Sequence, residues 1–201
     1  LIPVAGKPLV DHALDLAAGI EPTCIVANLH YRPEILQKHL TKRGAIAVLE
    51  TPDILETGGG LRNAMPHLGS GPVYTMNTDA IWAGPNPLKL LRDAWDPDKM
   101  DGLLMLVPLG NAVGHTGSGD FISDSSDRLT RGPGQIYGGI QIIKTERLFE
   151  IAEQKFSLNK LWDLMLADGR LHGISYPGKW CDVGQPEGIT LAEQLLDETS
   201  V

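Results

Sequence analysis

The chain has 201 residues, 42% hydrophobic and 21% charged, with a formal net charge of −8. That length and apolar content suit a folded α/β domain and exclude disordered, collagen-like, coiled-coil and disulfide-scaffold classes. No apolar run approaches the ~20 residues of a membrane-spanning helix, and the acidic balance argues against a nucleic-acid groove built on phosphate neutralisation. The chain opens on Leu1-Ile2-Pro3-Val4, without Met and without a signal-peptide pattern, so sequence is expected ahead of residue 1.

Pro8 to Gly19 reads as a helix, with Leu9, Val10, Ala13, Leu14, Leu16 and Ala17 near helical spacing and Gly19 at the C-cap position. Thr23–Ala27 reads as a strand, Arg32–Leu40 as a helix with Pro33 in its first turn, and Ala45–Leu49 as a strand. This β-α-β-α-β alternation predicts a largely parallel, helix-covered sheet. Gly58-Gly59-Gly60 then opens a predicted helix over Leu61–Leu68. Val73–Met76 is a predicted strand ending at Asn77-Thr78-Asp79, Pro87–Trp95 a helix, and Asp101–Pro108 a strong strand. Gly110–Gly134 is rich in Gly, Ser, Asp and Asn and is expected as an excursion over a site, with a short strand at Asp120-Phe121-Ile122. Ile136–Ile143 returns to strand, Glu146–Glu153 to helix, and Asn159–Ala167 to an amphipathic helix. Leu171–Tyr176 is strand-like, Trp180–Gly184 a turn, and Pro186–Asp197 a closing helix. No repeat or linker interrupts the chain, so residues 1–201 are expected to form a single domain. Cys24 and Cys181 lack zinc-site spacing, which leaves reduced thiols and a cytoplasmic location as the expectation.

Four stretches carry candidate chemistry. Leu55-Glu56-Thr57-Gly58-Gly59-Gly60 places three glycines between strand and helix, where free N–H groups and missing side chains suit a phosphate or a flat ligand. The alternative is a flexible turn. Asp79 ends a central strand and suits a hard divalent cation, or else caps the next turn. Asp182, within Trp180-Cys181-Asp182-Val183-Gly184, reads alone as a capping residue. Together Asp79 and Asp182 could complete a magnesium site, since Mg²⁺ takes one or two carboxylates plus substrate phosphates. Gly117-Ser118-Gly119-Asp120-Phe121 and Tyr137-Gly138-Gly139 suit a polyhydroxylated ligand or a solvated hairpin. Lys7 reads as a solvated loop lysine, and the six histidines lack ligand spacing.

In combination these residues resemble the sugar-1-phosphate nucleotidyltransferase family. The matching order is Pro-Val-Ala-Gly-Lys-Pro-Leu at Pro3–Leu9, Leu-Glu-Thr-Gly-Gly-Gly-Leu at Leu55–Leu61, Asn77–Asp79, Gly119–Phe121 and Trp180–Gly184. Within the family, the Leu-Glu-Thr-Gly-Gly-Gly form and the short length look most like the N-acetylmuramate α-1-phosphate uridylyltransferase branch. The resemblance implies a Rossmann-like three-layer α/β/α fold with a mostly parallel mixed sheet. It implies Mg²⁺-dependent transfer of a nucleotidyl group from a nucleoside triphosphate, UTP in this branch, to a sugar 1-phosphate, in cell-wall sugar metabolism. By the same resemblance Asp79 and Asp182 would hold Mg²⁺. Glu56, Thr57, Gly58 and Gly59 would line the nucleotide, and Gly119, Asp120 and Gly139 would face the sugar. No nucleic acid and no membrane is implied, and monomer and homodimer both stay open. The family's Leu-Ala-Ala-Gly-x-Gly-x-Arg loop and Pro-Lys-Pro, which supply the catalytic Arg and Lys, would lie before Leu1. The first strand and triphosphate loop are therefore expected to be absent from these residues, and the 201 residues alone are expected to be inactive. Two other readings remain: a regulatory nucleotide- or sugar-binding module without catalysis, and a nucleotide-sugar-dependent glycosyltransferase. The latter usually carries Asp-x-Asp, which Asn77-Thr78-Asp79 is not.

Overall fold

The computed structural model describes residues 1–199. The chain divides into two compact units. The first comprises Leu1–Glu21, Tyr74–Ile143 and Asp168–Val201, and the second Pro22–Val73 and Lys144–Ala167. The α/β class and the mixed sheet are as expected.

The first unit is built on the strand Gly102–Val107, which is buried along its whole length. Such an unbroken apolar run is the mark of a central strand covered on both faces. Leu171–Ser175 pairs with it in parallel, and Ile136–Ile143 pairs antiparallel on the other side. Val73–Met76, whose residues from Tyr74 on belong to this unit, completes the four-stranded sheet. The Ile136–Ile143 register shifts between Tyr137 and Gln141. Gly138 and Gly139 fall in that shift, and Gly139 holds φ +90°, a conformation that a bulge requires and glycine supplies.

A second sheet of this unit has the order Ala80–Ala83, Lys179–Asp182, Ala112–Val113. Its first two strands are antiparallel, with Asp182 opposite Ala80. One core cluster joins Val4, Leu9, Ile81, Ala83, Cys181, Val183, Ala192 and Leu195. It takes residues from the helices Leu9–Ala18 and Pro186–Thr199. Each buried Leu or Val there contributes about 1.5–3 kcal/mol relative to exposure.

The predictions for this stretch need two corrections. Trp180–Gly184 was expected as a turn, yet Lys179–Asp182 is a strand. Its partner, Ala80–Ala83, was not expected at all. The Gly110–Gly134 excursion carries a hairpin of Phe121–Ser123 and Leu129–Arg131.

In the second unit, Val26–Leu29 and Ile46–Leu49 form a parallel pair joined by the helix Pro33–Lys42. The first strand starts three residues later than the apolar run Thr23–Ala27 suggests, because its ladder partner begins at Ile46, opposite Val26. The helix Glu56–Leu68 follows, and Asn159–Ala167 forms as predicted. The helix expected over Glu146–Glu153 is a 3-10 segment at Glu146–Glu150. Its carbonyls are drawn elsewhere: Arg62 donates to the carbonyls of Leu148 (3.4 Å), Ile151 (2.6 Å) and Glu153. Of the three, only the Leu148 oxygen would serve the ladder of a helix over Glu146–Glu153, since the last four carbonyls of a helix have no partner within it. Among the described residues no helix is long and apolar enough to cross a membrane.

Candidate active site

Asp79 sits between the strand Val73–Met76 and the strand Ala80–Ala83. The Val183 N–H donates to the Asp79 carbonyl at 2.7 Å, one step beyond the Asp182–Ala80 pair. Two aspartates far apart in sequence thus meet at one rim of the three-stranded sheet. Both are exposed there. Desolvation by the surrounding protein pushes the Asp79 carboxyl above its ordinary value, and the negative charge of Asp182 pushes it further. Asp182 Oδ1 accepts the Gly184 N–H at 2.8 Å, which aims the side chain and leaves Oδ2 outside that bond.

This donor set suits magnesium. Mg²⁺ is content with one or two protein carboxylates while phosphate oxygens and waters fill the rest. Among the described residues no cluster of three or more His, Cys, Asp or Glu side chains forms, so an all-protein metal cage is not what the rim offers. Neighbouring Cys181 is buried, and desolvation with the nearby Asp182 charge pushes its thiol up to about 11. It stays protonated at neutral pH and is no nucleophile.

The raised Asp79 pKa has a stability consequence. The folded state holds the Asp79 proton more tightly than the unfolded chain does. Stability is therefore full below the ordinary aspartate range and falls as pH rises through the elevated folded value. In metal-free buffer, Asp79→Asn is expected to melt higher than wild type at neutral pH. The gap should close below the ordinary aspartate range. A pH series of thermal melts checks this, and an equal or lower neutral-pH melting temperature for the variant contradicts it.

The residues assigned to the sugar lie in the same unit. Gly139 accepts the Asn77 N–H at 2.8 Å, and a Cβ on Gly139 would stand 3.0 Å from Asn77 Cβ. The bulge therefore presses against the Asn77-Thr78-Asp79 turn. The Gly138 carbonyl accepts Trp180 Nε1–H at 3.1 Å, and a Cβ there would stand 2.5 Å from the Trp82 ring. Trp82 packs edge-on against Tyr176, centroids 4.8 Å apart, and Tyr176 donates to the Pro85 carbonyl at 2.9 Å. These aromatics stiffen the floor under the rim. Asp120 is exposed, but its Oδ2 already accepts the Tyr137 N–H at 2.8 Å. Gly119, at φ +87°, would place a Cβ 2.2 Å from the Gly134 carbonyl oxygen. A close backbone crossing explains that glycine without a ligand.

In the second unit, Glu56, Thr57, Gly58 and Gly59 form the first turn of the helix Glu56–Leu68. The glycines are inside the helix rather than ahead of it, and the expected free N–H groups are not free. The N–H groups of Gly58 and Gly59 both donate to the Phe156 carbonyl, at 2.9 and 3.0 Å. Close approach is the reason for glycine here: a Cβ would stand 2.4 Å from the Phe156 ring at Gly58 and 2.4 Å from the Gln154 carbonyl at Gly59. Glu56 and Thr57 are exposed, and Lys155 lies 4.0 Å from the Glu56 carboxylate. The residues that sequence reasoning missed are Tyr176, which stiffens the floor beside Trp82, and Arg62 with Phe156 as the holder of the glycine turn.

The description "MobA-like NTP transferase domain" matches residues 1–113. The N-acetylmuramate alpha-1-phosphate uridylyltransferase of Caulobacter vibrioides is 37% identical, over 98% of this chain and 88% of that protein. The mannose-1-phosphate guanyltransferase of Hypocrea jecorina is 26% identical over 93% of this chain, and the match spans 55% of its length. Among solved structures, HddC from Yersinia pseudotuberculosis complexed with GMP-PN superposes with TM-score 0.76. It shares 17% identity over 97% of this chain and 88% of that one, so the likeness there is one of fold. With the family description covering more than half of the chain and a relative at 37% identity along nearly all of it, the chain belongs to the MobA-like NTP transferase family.

Proposed function

We propose that this protein is a sugar-1-phosphate nucleotidyltransferase that transfers the uridylyl group of UTP to N-acetylmuramate α-1-phosphate, with Mg²⁺, releasing pyrophosphate. The meeting of Asp79 and Asp182 at one rim carries this reading. The 37% identity to a named uridylyltransferase supports the choice of base and sugar.

In the proposed reaction a phosphate oxygen of the sugar 1-phosphate attacks the α-phosphorus of UTP. A new O–P bond forms, the bond from the α-phosphorus to the bridging oxygen breaks, and pyrophosphate leaves with that electron pair. Such a displacement calls for positioning and charge neutralisation. Bound Mg²⁺ would supply positive charge to the phosphate oxygens. Asp79 and Asp182 would hold it. Gly184 fixes the Asp182 carboxylate by its N–H, and the Gly139–Asn77 bond fixes the turn that bears Asp79. Glu56, Thr57, Gly58 and Gly59 are proposed to line the nucleotide. Gly119, Asp120 and Gly139 are proposed to line the sugar, with Asp120 Oδ1 as the acceptor left outside its bond to Tyr137. Residues 1–201 act in this reading as one nucleotidyltransferase domain.

The test is a panel of the four common nucleoside triphosphates against N-acetylmuramate, glucose and mannose 1-phosphates, with the full-length gene product and Mg²⁺. UTP with N-acetylmuramate 1-phosphate is expected to release pyrophosphate fastest. Preference for another pair redirects the specificity. Release with no pair sinks the enzyme reading and leaves a binding module.

A further inference from the structure

Glu50 is a buried carboxylate outside all the roles above. It follows the strand Ile46–Leu49, in the same unit as Glu56, and is only 4% exposed. Its Oε1 accepts Asn28 Nδ2–H at 2.8 Å, and its Oε2 accepts the Leu55 N–H at 2.7 Å. Both donors are neutral. Buried polar groups are ordinarily hydrogen-bonded, and here the two oxygens of one carboxylate tie Asn28 to the Leu55 backbone.

The geometry it controls is at Leu55. The next residue, Glu56, holds φ +62°. A side chain other than glycine stays in that left-handed region only where its surroundings over-determine it. Both neighbours of Glu56 are tied. The Leu55 N–H goes to Glu50, and the Leu55 carbonyl accepts the Phe156 N–H at 3.1 Å. Thr57 Oγ1 accepts the Leu158 N–H at 2.9 Å. Gly60 adds a second sign that the Glu50 carboxylate is deliberately housed. A Cβ at Gly60 would stand 2.6 Å from Glu50 Oε1 and 3.0 Å from Asn28 Nδ2. The third glycine of the triplet is the space that carboxylate occupies, and Asn28 Nδ2 closes the pocket by also donating to the Gly60 carbonyl at 2.9 Å.

We propose that Glu50 is a positioning residue for nucleotide recognition: by holding the Leu55 N–H, it keeps the strained Glu56 turn in the shape that meets the nucleoside triphosphate. This rests on the nucleotidyl-transfer reading. Glu50 touches no substrate and acts through the backbone of Leu55 and Glu56.

The experiment uses Glu50→Gln in the full-length gene product. The substitution keeps size and shape but turns an NH₂ group toward one of two N–H donors. The KM for UTP is expected to rise about tenfold. The KM for the sugar 1-phosphate should move by less than about twofold, since a local turn and not the whole fold is disturbed. Amide hydrogen exchange at Leu55–Gly58 should quicken while that of Gly102–Val107 stays unchanged. Gly60→Ala presses on the same carboxylate with Glu50 intact and should give the same split; it carries the test if Glu50→Gln does not fold. Equal rises in both KM values overturn the proposal, and so does an unchanged KM for UTP. If the wild-type protein transfers no nucleotidyl group, the functional reading fails by itself. Exchange then decides on Glu50: faster exchange confined to Leu55–Gly58 upholds its hold on the turn, and unchanged exchange refutes it.

Discussion

Replacing Asp79 or Asp182 with alanine is expected to lower kcat for pyrophosphate release by at least about a thousandfold. Stability should barely follow. Both side chains are exposed at the rim, so neither removal opens a cavity in the core. Asp79 is a liability to folding at neutral pH, because desolvation and the Asp182 charge oppose its ionisation. Its loss therefore leaves stability level or improves it. Asp182→Ala forfeits the bond from the Gly184 N–H, worth about 1 kcal/mol. In a chain of this size that corresponds to about 2–4 °C in melting temperature. Asp182→Asn keeps an oxygen for Gly184 and should spare even that. An inactive variant that melts no lower than wild type is the signature of a residue kept for function against stability. Kinetics and melts on the same preparations check it. Full activity in either variant removes the metal assignment, and unfolding of both assigns the pair to structure instead.

The second large effect falls on the glycine turn. Gly→Ala within a helix ordinarily stabilises by about 0.5–1 kcal/mol, through lower entropy in the unfolded chain. At Gly59 the new Cβ would stand 2.4 Å from the Gln154 carbonyl oxygen. That neighbour is backbone and cannot swing aside. Overpacking of this kind costs about 1–3 kcal/mol. It also pushes on the segment whose Phe156 carbonyl receives the Gly58 and Gly59 N–H groups. The clash outweighs the propensity gain, and Gly59→Ala is expected to lower the melting temperature by several degrees. Gly58→Ala meets the Phe156 ring at 2.4 Å, and should fall in the same direction. Gly110 is the control, since nothing lies within 4 Å of a Cβ there. Gly110→Ala should stay within about 0.5 kcal/mol of wild type. A Gly59→Ala variant as stable as the control would show that the turn is looser than its packing implies.

These glycines also mark the boundary of what the residues alone disclose. Gly58–Gly60 were legible as unusual, but they lie inside the helix Glu56–Leu68 and not between strand and helix. Their physical reason was not legible. It depends on Phe156, Gln154 and Glu50, which only the fold brings to them. The Glu146–Glu153 helix failed for a related reason. Arg62 holds the carbonyls of Leu148, Ile151 and Glu153 from another segment, and no local propensity records a distant guanidinium.

The central strand was plain, because the run inside Asp101–Pro108 is apolar without interruption. Ala80–Ala83 was not, since four apolar residues form a strand only when Lys179–Asp182 arrives to pair with them. That same pairing turned the expected Trp180–Gly184 turn into a strand and carried Asp182 to Asp79. Read alone, Asp79 suited either a cation or a turn cap, and Asp182 a helix cap. Their order in the chain raised the pair as a candidate, and the antiparallel register supplies the proximity.

Asp79 and Asp182 are proposed to act as one magnesium-holding pair in nucleotidyl transfer. A Mg²⁺ titration of pyrophosphate release from UTP and N-acetylmuramate 1-phosphate tests it most directly, with wild type and Asp182→Asn side by side in the full-length gene product. Wild type is expected to show no release in EDTA and a saturable rise with Mg²⁺, and the variant a flat response. Wild-type turnover in EDTA, or a variant that saturates at the wild-type rate and Mg²⁺ concentration, would contradict it.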